Sequence, residues 1–420
     1  MKILVITRNA WDDTNAIGNT VSNFFEHFDN CEFANIYFRA SSPNNKICKR
    51  YYRTTEFEVL RNWFSPEKNG KDFNFSGESK AKKIRDEKKL IRLIHKYGIN
   101  FAYKFSDYIW NSKKWLNNNL RAFIESFSPD VIFTFAKADP QYYLTVKYIK
   151  DNYNTPLFTW IADDEYGRLS KKNSNKKITK LKYIIENSNL IKGCSREICS
   201  YYNSVFFCSA SPLYKSCEFS ETVKEKVNNP VKVVYAGNLL YGRLEIITKA
   251  AEIIEGYKSG GGVSFDIFSN SVLLPSDIQK YFGDKTCTCF CGKRDYDEIK
   301  RKLSEADLVL FVESFDTEQI INTKYSFSTK IIDYLQSGSA VLAIGPGEIS
   351  SIKYFDDIPG AYVIKNTDSL KNELVDVLND SSNYSRRALK IREFAEEHHD
   401  ASAVSRGLQA DLSKIIIGGV

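Results

Sequence analysis

Short, uninterrupted apolar runs recur along the whole chain, with segments of helical spacing between most of them. In the first half the strand-like runs are KILVIT, CEFANIYF, DVIFTF and LFTWIAD. An amphipathic segment from Val21 to Phe28 follows the first, and ITKLKYIIENSNLIKGCS reads as a helix leading into a short strand. After VNNP the pattern restarts with VKVVYAGN and continues through VSFDIFS, TCTCFCG, ADLVLFV, AVLAIG and AYVI. Strands alternating with helices predict βαβ units and parallel sheets. The expected fold class is therefore α/β, with two Rossmann-like domains facing a central cleft. The first domain is expected over residues 1–210, a linker over 211–230 and the second domain over 231–383. A helical segment, 384–420, is expected to pack back toward the first domain. No short internal repeat is visible.

Composition adds little to this picture and contradicts none of it. The 420 residues allow two full cores, and 43% hydrophobic with 26% charged residues is ordinary globular composition. The chain enters a strand-like run at once, and no apolar stretch approaches the roughly 20 residues that span a bilayer. A cytoplasmic protein is expected. The net charge of +7 favours anionic partners, phosphates or an acidic membrane face, and nucleic acid is not an expected partner. Between Phe64 and Leu120 the chain turns basic, aromatic and helical in spacing. It reads either as helices with a solvated lysine face or as a surface lying on anionic lipid. The second reading makes the protein peripheral on the inner face of the membrane, with Lys80 to Lys114 contributing and Tyr103, Phe105, Tyr108 and Trp110 at the interface.

Nine cysteines, an odd number scattered over a long chain, predict free thiols. Cys287, Cys289 and Cys291 alternate, so a strand would place them on one face, where buried cysteines act as small hydrophobes. With four histidines in the chain and no second cysteine cluster beside these three, no metal site is expected. His398 and His399 are adjacent and point to different sides of a helix.

The chemistry concentrates in FSTKIIDYLQSGSAVLAIGP, Phe327 to Pro346. Ser328 and Thr329 are helix-capping types, Ile331, Ile332 and Leu335 form an apolar side, and Gly338 is a natural stop. Lys330 then stands in the first turn, where the helix dipole disfavours a cation. A bound anion would remove that penalty. Asp333, one turn on, is placed to hold the hydroxyls of a ribose; the alternative is a plain Lys330–Asp333 surface pair. In VVYAGNLLYGR, Gly237 ends a strand and would let a ligand approach the backbone, and Arg243 could clamp a diphosphate. The alternative there is a tight turn with an exposed arginine.

The chain resembles the GT-B fold glycosyltransferases, and among them the large family 4 of retaining, sugar-nucleotide-dependent enzymes of bacterial polysaccharide synthesis. The resemblance is strongest from Val231 to Ile364, in YAGNLLYGR, CGKRDYDEIKRKLSEADLVLFV and FSTKIIDYLQSGSAVLAIG. SPDVIFTFAKADPQYYLTVKYI and LFTWIADDEYG are similar to acceptor-side segments of that group. It implies transfer of a hexose-type sugar from a nucleoside-diphosphate donor to a saccharide acceptor, often lipid-linked, with retention. Neither metal nor cofactor is expected, the nucleotide sugar being a substrate. Arg243 falls on a phosphate-binding position, Lys330 on a donor-diphosphate position and Asp333 on the ribose-binding acid. Gly237, Asn238, Ser328 and Thr329 surround them. Gly18 falls near a glycine that faces the reaction centre, and Asp163 or Asp164 is a candidate base. Two departures stand out. Asn238 replaces the usual arginine, and the first of a common pair of glutamates falls on Tyr325. A sugar-nucleotide 2-epimerase of the same fold is the alternative activity.

Overall fold

The computed structural model describes residues 1–75, 99–219, 222–257, 262–271, 273 and 275–418, with the side chains of 99–103 and 275 left aside. Residues 80–98 of the basic segment thus lie outside the description. The chain divides into two compact units, Met1–Tyr214 with Ser402–Val420, and Lys215–Ala401. The segment 384–420 is split between them: helix Tyr384–His399 belongs to the second unit and nearly all of helix Ala401–Ile417 to the first.

The first unit holds eight strands: β1 (Lys2–Thr7), β2 (Glu32–Tyr37), β3 (Arg50–Arg53), β4 (Lys71–Asn74), β5 (Val131–Phe135), β6 (Leu157–Ile161), β7 (Leu190–Gly193) and β8 (Ser211–Pro212). Their order is β4-β3-β2-β1-β5-β6-β7-β8, and every pair is parallel except β3 with β4. β5 and β6 are buried at every position, as strands covered on both faces must be, and this is why their apolar runs were legible. RYYR and KDFN carry no such run. β3 and β4 form because Tyr51 stacks on Phe73 across the antiparallel pair, their ring centroids 5.8 Å apart. The first helix runs Ala16–Phe25, starting well before Val21, because the Asn15 side chain caps it by accepting from Gly18 N.

The aromatic segment is largely core where it is described. Trp110 and Trp115 are fully buried and meet Phe38 edge-on, and Trp110 Nε1 donates to Glu56 at 2.8 Å. Trp110 is therefore no interfacial residue, whereas Tyr108 remains 63% exposed.

The second unit holds β9 (Val231–Ala236), β10 (Val263–Phe268), β11 (Thr288–Gly292), β12 (Leu308–Val312), β13 (Ala340–Ile344) and β14 (Tyr362–Ile364), all parallel in the order β11-β10-β9-β12-β13-β14. Residues 215–230, expected as linker, fall within this unit. Buried Asp307 anchors them, accepting from Lys224 Nζ at 2.8 Å, Asn228 N at 3.1 Å and Lys232 N at 2.7 Å. All nine cysteines are free. The three near β11 are not buried hydrophobes: Cys289 is exposed and Cys287 and Cys291 half-buried, and a bulge shifts the register at Cys291. His399 is fully buried, bonded through Nδ1 to Lys215 O at 2.8 Å and through Nε2 to the Tyr354 hydroxyl. His398 instead stacks on Phe394.

Candidate functional site

The carboxyl ends of β9 and β12 carry the densest group of the sequence-predicted residues. Helix Lys330–Gln336 is held there by its apolar side, Ile331, Ile332 and Leu335, all buried. Its fully buried Tyr334 joins the end of β9 to the middle of β12, the hydroxyl lying 3.1 Å from Ala236 O and 3.2 Å from Leu310 O. The helix is short, seven residues, and Thr329 at its start has helical angles and makes no side-chain cap. The capping expected of Thr329 is thus absent, and Ser328 N bonds instead to Ser351 Oγ at 3.2 Å. So short a helix has little macrodipole, and the chemistry rests on side chains.

Lys330 reaches back over β9. A Cβ at Gly237 would collide with Lys330 Nζ and lie 2.7 Å from the Tyr235 hydroxyl, so glycine there makes room for the ammonium. Nζ sits 6.0 Å from the Tyr235 ring centroid. Among the described residues Lys330 makes no ion pair; Asp333, one turn away, attracts it without reaching ion-pair distance. Burial, reinforced by the nearby Arg243 and partly opposed by Glu313 and Asp333, lowers the Lys330 pKa to about 8. The simple Lys330–Asp333 pair is thereby removed as an explanation.

Arg243 behaves differently. Its guanidinium grips buried Glu313, at the end of β12, with Nη2 at 2.7 and 2.8 Å from the two carboxylate oxygens and Nε at 3.1 Å. Nη1 donates to Asn238 Oδ1 at 2.8 Å, and the Tyr235 hydroxyl donates to Asn238 O at 2.6 Å. It is neither exposed nor a free cation; it braces the loop after β9. Asp333 accepts from the Tyr296 hydroxyl at 2.9 Å, and burial raises its pKa.

The first unit has a second group at the ends of β5 and β6. Lys137 Nζ lies 3.2 Å from Asp163 and 3.4 Å from Glu165, and Arg168 lies 3.0 Å from Glu165. Asp164 is committed to helix Glu165–Lys171, capping it by accepting from Gly167 N at 2.8 Å. Burial raises its pKa. Of the two aspartates, Asp163 is the accessible one. Gly18 lies inside a helix rather than a loop. Its N–H is taken by Asn15, and a Cβ would strike the Asp12 backbone, so it serves close packing.

The structure thus gathers Gly237, Asn238, Arg243, Lys330 and, on the same helix, Asp333. Gly18, Asp163 and Asp164 belong to the other unit. Glu313, Tyr235 and Tyr296 were not singled out from sequence. Glu313 had a signal, a carboxylate directly after the apolar run ADLVLFV, where a parallel strand delivers residues to a binding edge.

No protein-family model and no curated protein matches the sequence. Solved structures do. Sucrose-phosphate synthase from Thermosynechococcus elongatus is similar over 100% of both chains, with a TM-score of 0.64 at 10% identity. HepE from Anabaena, in complex with UDP and glucose, is similar over 99% of this chain and 100% of its own, with a TM-score of 0.61 at 11% identity. The N-terminal domain of Candida albicans trehalose-6-phosphate phosphatase is similar over 98% of this chain and 96% of its own, with a TM-score of 0.59 at 12% identity. The fold is GT-B. In this GT-B chain the Lys330 group and the Asp163 group each stand at the carboxyl ends of a parallel sheet, the edge where open α/β sheets take ligands.

Proposed function

We propose that this protein is a glycosyltransferase that moves a hexose-type sugar from a nucleoside-diphosphate donor to a saccharide acceptor. The observation that carries this reading is Lys330: a desolvated ammonium without an ion pair among the described residues, seated against a glycine at the end of β9. A half-buried cation that makes no ion pair pays a desolvation cost that an arriving anion offsets. The complex of HepE with UDP and glucose, on the same fold, supports a sugar nucleotide as that anion's source.

In this reading Lys330 meets the diphosphate, with Ser328 and Thr329 beside it. Asp333 accepts from the ribose hydroxyls, exchanging its bond from Tyr296. Arg243, held by Glu313 and Asn238, keeps the loop of Gly237 open to the phosphates. As the bond between the sugar and the diphosphate oxygen breaks, the electron pair stays on the leaving oxygen, and Lys330 stabilises it there without a metal. The acceptor hydroxyl forms the new bond and loses its proton to a base, for which Asp163 is the candidate. Retention of configuration, a lipid-linked acceptor in polysaccharide synthesis and peripheral attachment to the inner membrane face are the finer parts of the same proposal.

Titrating the purified chain with UDP, GDP, ADP and their sugars, and following the melting temperature, tests the donor assignment, since a ligand of the folded state raises it by mass action. One nucleoside-diphosphate series is expected to stabilise the protein and to yield free nucleotide plus glycosylated acceptor in excess chelator. No stabilisation by any of them would overturn the proposal, and free epimerised sugar without transfer would replace it by the epimerase.

A further inference from the structure

β10 and β11 form one edge of the second sheet, with Asp266 paired directly across from Cys289. Paired residues on neighbouring strands share a face, and the strands lie about 4.8 Å apart. The register then slips. Ile267 pairs with Phe290 but Phe268 with Gly292, so Cys291 is an extra residue with no partner on β10. Such a bulge re-aims its side chains. Here it brings the Cys291 thiol to the same place as its neighbours, and the Asp266 carboxylate and the Cys289 and Cys291 sulfurs all lie within 4.8 Å of one another.

Two further facts separate this group from an ordinary patch of surface. Cysteines are among the most buried residue types, yet Cys289 is exposed and Cys291 half-buried. The half-buried Asp266 carboxylate has no hydrogen bond or ion pair among the described residues, and Arg294, which follows shortly after Cys291, is taken by Glu298 at 3.2 Å. A tetrahedral zinc ion holds thiolates at about 2.3 Å and carboxylate oxygens at about 2.0–2.2 Å, which sets its ligand atoms roughly 3.5–3.8 Å apart. Small side-chain rotations close the observed spacing to that value.

We propose that Asp266, Cys289 and Cys291 form a three-ligand site for a thiophilic divalent cation of the zinc type, with a water completing the tetrahedron. Binding releases the two thiol protons to solvent and leaves two thiolates and one carboxylate on the ion. Because both thiols must give up their protons to bind, affinity strengthens as pH rises. The ion would tie edge strand β11 to β10 and raise the melting temperature of the second unit. The proposal does not depend on the glycosyl-transfer reading.

The test is an anaerobic titration of the full-length, reduced and chelator-stripped chain with cobalt(II). Expected are one equivalent bound, a thiolate-to-cobalt charge-transfer band, the visible bands of tetrahedral cobalt, and their loss on adding zinc. Cys289→Ser and Cys291→Ser should each weaken the charge-transfer band, Asp266→Asn should keep it at lower affinity, and Cys287→Ser should change nothing. Circular dichroism confirms that each variant is folded. Absence of the bands in the unaltered chain, or bands indifferent to both Cys289→Ser and Cys291→Ser, would overturn the site. So would a Cys289–Cys291 disulfide that persists under reductant.

Discussion

The two polar groups at the strand ends of this protein solve the problem of charge in opposite ways. At β5 and β6, Lys137, Arg168, Asp163 and Glu165 neutralise one another, and Asp163 and Arg168 remain about half exposed. At β9 and β12, the Arg243–Glu313 pair is nearly dry, and Lys330 beside it feels Glu313 and Asp333 but makes no ion pair among the described residues. Exposed pairs contribute little either way. A dry pair is costly to break, and a half-buried cation without an ion pair carries a smaller cost that a bound anion removes. Asp163 and Arg168 can be altered cheaply, whereas in the second group Arg243 supports structure and Lys330, in the proposed reading, meets the ligand.

The largest effect expected from breaking this contrast is on stability. Glu313→Gln strands the Arg243 charge in a buried site, and removing one partner of such a pair costs about 3–5 kcal/mol. Urea denaturation of the second unit should show it, and Arg243→Met with Glu313→Leu together should recover most of the loss. A single substitution costing under about 1 kcal/mol would mean that water reaches the pair.

Lys330→Ala comes next, and its sign should be the reverse. Stability is expected to hold or rise, while calorimetry should show nucleoside-diphosphate binding weakened by about 1.5–3 kcal/mol, the worth of a charged hydrogen bond. Sugar transfer should fall further than binding, because charge on the leaving oxygen peaks in the transition state. Unchanged binding and transfer would make Lys330 a packing residue.

pH sharpens the same point more gently. The Lys330 ammonium titrates near 8 in the folded protein against 10.5 for an ordinary lysine. Between those values the unfolded chain holds a proton that the folded one has released, so this group makes stability rise with pH across that window and contributes no slope below it. Diphosphate affinity should run the other way, greatest below about 8 and declining above. Both dependences should vanish in Lys330→Ala.

The smallest effect on stability is expected at Asp163→Asn, a half-exposed partner of Lys137. Its stability cost should be under about 1 kcal/mol in thermal melts, and diphosphate binding should be unchanged. A selective fall in transfer would identify Asp163 as the acceptor-side base, and unchanged transfer would remove it.

The sequence by itself determined the two parallel sheets, because a strand covered on both faces must be apolar throughout, and DVIFTF, LFTWIAD, ADLVLFV and AVLAIG can be little else. It also singled out Gly237 and Lys330, which the fold brings together at the end of β9. What it could not show was which charges meet. Arg243 and Glu313 are far apart in sequence, and only the adjacency of β9 and β12 turns an apparent phosphate clamp into an internal brace. Asp164 reads like Asp163 until the helix it caps is in place. Asp266 carries no metal signal in the sequence. Only the pairing of β10 with β11, and a one-residue bulge, set it beside two thiols. Local pattern decides where a chain is buried, because burial depends on a residue's own chemistry and its near neighbours. Whether a charge is paired depends on long-range contacts, and those exist only once the sheets have formed.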